Sequence, residues 1–190
     1  IWRRNKEKNA YEAVMLSQID HPAIPKLLGI IREKRFYALV LEYMPGCTVE
    51  TLLFKHRRVF TNAEIAGIGS QLIRILAYLH ARGIVHRDLR IPNVIIGDGK
   101  VSLIDFGLAR WADPLRYRFD QDFSYLGDFL LYLHYSAYPR KRGRSRPWYE
   151  ELDLTPAQKH LYKRLLRLEE PYAAIDEVER DFTAAFPPSP

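Results

Sequence analysis

The chain alternates between two kinds of apolar spacing. From about Lys8 to Ile19, residues Ala13, Leu16 and Ile19 recur at helical intervals until Asp20-His21-Pro22 stops the run. Pro25 to Ile31 and Phe36 to Tyr43 are denser and read as two strands joined by the charged turn Arg32-Glu33-Lys34, the second leading into Met44-Pro45-Gly46. Helical spacing returns between Thr61 or Asn62, either of which can cap, and about Ala81. Its apolar stripe is Ile65, Ile68, Leu72, Ile75, Leu76 and Leu79, and Gly83 ends it. Val94-Ile95-Ile96 reads as a short strand, Gly97-Asp98-Gly99-Lys100 as a hairpin turn, and Val101-Ser102-Leu103-Ile104 as the returning strand. Two helices, Thr155 to Leu168 and about Ala174 to Phe186, close the pattern.

The predicted hairpin separates two polar clusters. Before it stands His86-Arg87-Asp88-Leu89-Arg90-Ile91-Pro92-Asn93, and after it Asp105-Phe106-Gly107. Two acids and an amide on either side of an apolar hairpin are what a magnesium-nucleotide phosphoryl transfer site requires. The first acid can accept a hydroxyl proton, while the amide and the second acid hold hard cations through oxygen. Turn residues meeting by chance are the competing reading, and the agreement of both clusters with the strands between them argues against it.

These residues resemble the catalytic loop and metal-binding loop of the eukaryotic-type protein kinase family. The resemblance implies an α+β, protein kinase-like fold, with residues 1–44 as a partial, small β-rich N-lobe and 45–190 as a mainly helical C-lobe. It implies ATP and Mg2+ as cofactors and a protein hydroxyl, Ser/Thr by preference, as acceptor. Asp88 would be the base, Asn93 and Asp105 would hold magnesium, and Arg90 would stand where many members carry a Lys that steadies the transferred phosphate. Leu41, Glu42, Tyr43 and Met44 match the hinge that meets adenine, with Ile95 also among the nucleotide-binding positions. Glu12 matches the helix carboxylate that pairs with a strand lysine. Two other functions stay open: a pseudokinase or nucleotide-binding interaction module, and a small-molecule kinase of the same fold.

The departures from that family are as informative. Asp122-Phe123-Ser124-Tyr125-Leu126-Gly127 matches the start of the helix that follows the activation segment, yet it comes only fifteen residues after Gly107. Residues 108–121 contain no Ser or Thr, and Tyr117 is their one hydroxyl. Switching by phosphorylation of this segment is therefore not expected, and Arg87 is expected to find a permanent partner in Asp113 or Asp120. Asp122 is expected to anchor the catalytic loop through backbone hydrogen bonds. The C-terminal helices offer no obvious arginine for the missing Ala-Pro-Glu glutamate. A glycine-rich loop and a strand lysine would lie ahead of Glu12, where the sequence supplies eleven residues; either more chain precedes Ile1 or the lid over the phosphates is lacking.

Composition narrows the picture further. With 190 residues, 47% of them hydrophobic and 13% aromatic, the chain can bury a substantial core, which excludes bulk disorder. A single cysteine, Cys47, excludes an internal disulfide framework and suits a reducing compartment. No apolar run has the length to cross a bilayer, so a soluble, cytoplasmic protein without a membrane partner is expected. The net charge is +6, but five of the positive charges lie in Arg140-Lys141-Arg142-Gly143-Arg144-Ser145-Arg146. Without that run the net charge would be +1, so a nucleic-acid partner is not expected. The run reads as a solvated loop that could dock an acidic partner. His134 and His160 lack ligand partners at metal spacing and are expected in core or surface roles.

Overall fold

The structure, a computed structural model, describes residues 6–33, 37–139 and 146–187, with side chains from residue 10 onward. Apart from Arg146, the basic run lies outside the described residues.

Helix α1 (Lys6–Leu16) packs on a two-stranded antiparallel sheet of β1 (Leu27–Arg32) and β2 (Tyr37–Leu41), in register Ile30 to Leu39 and Arg32 to Tyr37. Ala13, Met15 and Leu16 of α1 are buried, as the helical spacing requires. Leu28, Ile30 and Val40 of the sheet are exposed, Leu28 by 64%. Glu42 ties the end of β2 back to the chain before β1. Its backbone N–H donates to the Lys26 carbonyl at 2.9 Å, and its carboxylate accepts from the Lys26 N–H at 3.2 Å.

The connector then runs directly over another strand. Gly46 has φ +124°, and a Cβ there would lie 2.4 Å from the Ile96 carbonyl oxygen. A Cβ on Gly97 would meet the Pro45 carbonyl at the same distance. Only glycines permit this approach, since the opposing atoms are backbone and cannot swing aside. It lets β3 (Cys47–Thr48) join β5 (Val94–Gly97), which pairs in turn with β6 (Lys100–Leu103). The β5–β6 turn places Asp98 and Gly99 at φ +49° and +72°, the two successive positive values of a type I′ hairpin.

Below this sheet the molecule is helical. A π-turn, Thr51–Lys55, precedes α2 (Asn62–His80). Thr61 caps α2 and forms a reciprocal capping box with Glu64. The predicted stripe is buried throughout, and Leu72, Leu76 and Leu79 have no exposed surface. Strand β4 (Ile84–Val85) pairs with β7 (Arg110–Trp111), and α3 (Asp120–Tyr135), α4 (Trp148–Glu151), α5 (Pro156–Leu165) and α6 (Ile175–Ala185) follow. Helix α2 is the central rod, contacting α3, α6, β4 and β6. The mixed α+β layout, a small sheet region beside a larger helical part, matches the expected fold class. No described helix is long and apolar enough to cross a membrane.

Candidate active site

The polar clusters occupy two loops whose backbones are pinned at both ends. The loop 86–93 leaves β4 and enters β5, and 104–109 leaves β6 and enters β7, so the β4–β7 and β5–β6 ladders bracket both. A bond from the Ile104 N–H to the Asn93 carbonyl, 2.9 Å, joins the loops directly. Asp105, the next residue, is thereby delivered beside Asn93. Arg87 and Asp105 are non-glycine residues at φ +65° and +62°, a left-handed conformation that surrounding contacts must enforce.

Asp122 supplies that enforcement for the first loop. Its side chain has no exposed surface and accepts N–H bonds from His86 at 2.9 Å and Arg87 at 2.7 Å, with His80 Nε2 on Oδ2 at 2.9 Å. His80 stacks on Phe119, ring centroids 4.4 Å apart. His86 is fully enclosed and packs edge-on against Phe106 at 4.8 Å, linking the two loops through their side chains. Burial pushes the His86 imidazole below its ordinary pKa, and the carboxylates of Asp122, Asp88 and Asp105 oppose that shift. The ring is therefore neutral around pH 7, with its Nδ1 facing the Asp88 N–H at 3.3 Å.

Asp88 itself is held by side chains. Arg90 forks onto its carboxylate, Nε to Oδ1 at 2.5 Å and Nη2 to Oδ2 at 2.9 Å. The Asn93 amide nitrogen donates to Asp88 Oδ2 and to the Asp88 carbonyl, both at 2.8 Å. The hydrogen bond and attraction from Asp88 raise the Arg90 pKa further. Asp88 and Asn93 are 5% and 6% exposed, whereas the Asp105 carboxylate is open to solvent and uses Oδ1 to accept the Gly107 N–H at 3.1 Å.

The donor set suits a hard cation. Because Asn93 spends its nitrogen on Asp88, its carbonyl oxygen is the group that can coordinate, and the exposed Asp105 carboxylate is a second oxygen donor. Among the described residues no group of three or more His, Cys, Asp or Glu forms a self-sufficient metal site. A cation here would need further oxygens, as magnesium does when phosphates and water complete its shell.

The nucleotide-binding candidates lie at the end of β2, in the connector after it and in β5. Leu41, Met44 and Ile95 are half-buried, while Glu42 is exposed. Ile95 faces Thr48 across the β3–β5 pair, and β5 begins immediately after Asn93. Glu12 lies half-buried on α1, whose Tyr11 ring sits 4.6 Å beneath the Arg110 guanidinium of β7.

A protein kinase domain model matches residues 2–126, about two thirds of the chain. The chain belongs to the protein kinase family. It is 39% identical to the probable serine/threonine-protein kinase YbdM of Bacillus subtilis (strain 168), over 96% of this chain and 74% of that protein. It is 37% identical to cyclin-dependent kinase F-4 of Oryza sativa subsp. japonica, over 52% of this chain and 21% of the relative. The hormonally up-regulated neu tumor-associated kinase of Mus musculus is also 37% identical, over 56% of this chain and 15% of the relative.

Within this kinase domain, one expectation from the sequence is corrected. The Arg87 side chain is paired with neither Asp113 nor Asp120. Its guanidinium lies 4.5 Å over the Tyr117 ring and donates to the Leu108 carbonyl at 3.1 Å. Asp113 is consumed locally, accepting the Leu115 and Arg116 N–H groups at 2.8 and 3.0 Å, and Asp120 pairs with Arg118 at 2.9 Å and Arg167 at 3.3 Å. Arg167, just beyond α5, supplies the second cation on Asp120 at the start of α3. His80 was missed although its signal was present, since it continues the α2 stripe one turn beyond Leu76. The expected core or surface roles of the other histidines hold: His134 bonds the buried Tyr162 hydroxyl at 2.8 Å and His160 pairs with Glu169 at 2.6 Å.

Proposed function

We propose that this domain catalyses ATP- and Mg2+-dependent transfer of the γ-phosphoryl group to a Ser or Thr hydroxyl of a protein. One observation carries the reading: Asp88 and Asn93 are in direct contact at 2.8 Å, and the Ile104–Asn93 backbone bond brings the Asp105 loop against them. This closeness of the two loops supports Asp88 as the proton acceptor, with Asn93 and Asp105 as oxygen donors for metal. The probable serine/threonine-protein kinase activity named for the Bacillus subtilis relative favours the same acceptor class.

In this reading Asp88 takes the proton from the acceptor hydroxyl as its oxygen bonds phosphorus and the bond to the leaving nucleoside diphosphate breaks. Asn93 and Asp105 hold magnesium, which when bound neutralises phosphate charge. Arg90 positions Asp88 and follows the developing charge on the phosphoryl oxygens. Backbone groups around Glu42 and Met44 meet the adenine edge, Leu41 and Ile95 enclose its faces, and Glu12 pairs with the strand lysine that would hold the phosphates. The division into lobes at residue 44 follows from the same reading, and a cytoplasmic location suits the lone cysteine.

The test is transfer of labelled γ-phosphate from ATP to a generic protein substrate, with and without magnesium. Incorporation that requires magnesium, is lost in Asp88→Asn and leaves nucleotide binding intact would support the assignment. Equal incorporation by Asp88→Asn would end it.

A further inference from the structure

Between the π-turn and α2 the chain makes an outward loop whose composition runs against its position. Phe54, Lys55, His56, Arg57, Arg58 and Val59 are six consecutive exposed residues, with Phe54 67% and Val59 56% exposed. Single exposed apolar side chains are ordinary, but Phe54 is the one exposed phenylalanine among the described residues, and it shares the loop with three cations and a histidine. The loop is anchored on both sides. Leu52 and Leu53 pack against the core before it, and Phe60 after it is buried, its N–H donating to Ser136 Oγ at 2.9 Å. Within it, the His56 and Arg58 N–H groups donate to the Thr51 and Leu52 carbonyls at 3.0 and 2.9 Å. Two backbone features depart from the local rules here: the five-residue π-turn itself, and a left-handed non-glycine residue, Arg57 at φ +52°. Such departures collect where backbone placement serves contact with a partner.

The unpaired charge sits at the tip. Arg58 lies over the Phe60 ring at 5.0 Å and pairs with Glu64 at 2.7 Å, and the Glu64 carboxylate also accepts the Thr61 N–H at 2.8 Å. Lys55 and Arg57 form no ion pair among the described residues. From Glu50 to Glu64 the net charge is +1 with His56 neutral and +2 with it protonated. Glu50 stands before the loop, its N–H bonded to the Ile91 carbonyl of the loop 86–93. Beyond Phe60 lies a cavity of about 340 Å³, lined in part by Phe60, Tyr138, Pro139, Glu151 and Asp153. The basic run follows Pro139 in sequence and ends at Arg146, whose N–H donates to Glu151 at 2.9 Å. This end of the chain therefore keeps a positive excess after Glu150, Glu151 and Asp153 are counted.

We propose that the loop Phe54–Val59 seats the protein on an anionic lipid surface, with Lys55, Arg57 and Arg58 at the headgroups and Phe54 and Val59 reaching the acyl boundary. Its shape suits a bilayer better than an acidic peptide. A peptide needs a groove to hold its side chains, whereas all six residues are exposed and none lines the neighbouring cavity. An outward loop with apolar side chains at both ends of a cationic stretch meets a flat, charged surface with both kinds of group at once. Peripheral contact of this kind needs no spanning helix. It replaces the expectation of no membrane partner, which rested on the lack of a spanning run, and it is independent of the reaction proposed above.

The test is co-sedimentation of the full chain with vesicles of phosphatidylcholine alone and with about 30% phosphatidylserine, at low and high salt. Partition onto the anionic vesicles should exceed that onto neutral ones at least about tenfold and should fall as salt rises. Each cation near such a surface is worth about fivefold in partition, so Lys55→Gln combined with Arg57→Gln should weaken binding about 25-fold. Phe54→Ser should weaken it at both salt concentrations, and Phe54→Trp should strengthen it, an opposite sign that misfolding cannot produce. The fluorescence added by Phe54→Trp should be quenched by spin-labelled acyl chains. Equal partition onto both vesicles, binding undiminished in the double charge variant, or added fluorescence untouched by the labelled lipid would each overturn the proposal. Capture of polyglutamate through Lys55 and Arg57 without vesicle binding would also overturn it and assign the loop to an acidic protein. None of these measurements needs phosphate transfer, so their failure leaves the kinase reading standing, and absence of transfer leaves the lipid contact standing.

Discussion

Asp88 of the loop after β4 and Asp122 of α3 are both buried carboxylates bonded within the same cluster, and they are held in opposite ways. Asp122 is bound by two backbone N–H groups and His80, all fixed in place by the fold, and has no exposed surface. Asp88 is bound by the tips of Arg90 and Asn93, and the Arg90 side chain is 57% exposed. Backbone donors cannot be withdrawn without unfolding the loop, whereas a side-chain fork can open by rotation. The contrast separates a permanent frame from the working face of the proposed reaction: one carboxylate sets where the loop is, and the other is held by groups that rotation can release.

The largest effect expected from breaking this contrast is on the working face. Asp88→Asn should lower kcat on the order of 10³-fold while the thermal midpoint moves little, since general-base contributions lie in that range. Asp122→Ala should do the reverse in kind. It orphans two buried N–H groups and the His80 contact, and should cost about 3–4 kcal/mol of stability in urea titration. If Asp122→Ala proved as stable as the parent, the frame would not rest on this residue.

The frame also has a pH signature. Burial lowers the His134 pKa to about 4 and moves His86 in the same direction. A histidine with a folded pKa below its unfolded value of about 6.5 leaves the unfolded chain binding more protons, so stability is full above that pH and falls below it. Between pH 7 and about 4, His134 alone should remove about 3 kcal/mol. His134→Gln should flatten that part of the profile, measured as urea midpoint against pH. A smaller effect tests the helix that carries His80: Thr61→Ala should cost about 1 kcal/mol through loss of the capping box. Arg90→Lys, which loses the fork but keeps the charge, should leave stability within about 0.5 kcal/mol and change kcat more than KM.

Much of the frame was legible in the residues because it is written in local spacing. The α2 stripe, the Thr61 cap and the Asp98-Gly99 hairpin are short-range decisions, and those strands and helices that the spacing predicts fall within a few residues of their expected bounds, while the two-residue strands β3, β4 and β7 and the short helix α4 have no such signal. Both polar clusters were legible as motifs. Their roles in phosphoryl transfer are carried by the proposal above. What was not legible depends on competition through space. Asp113 looked available to Arg87, yet two N–H groups three residues away or less claim it first. Tyr117 looked like a lone hydroxyl, and its ring is what Arg87 uses. Nothing in the spacing of α5 announces that Arg167, beyond its end, turns back to Asp120.

The bond between Ile104 and Asn93 has a consequence for how such a domain diversifies. Because a main-chain bond fixes part of the offset between the two loops, that part is kept when side chains other than the packed His86 and Phe106 change. New acceptor preferences can then be tried by changing peripheral residues without retuning the spacing on which the chemistry depends.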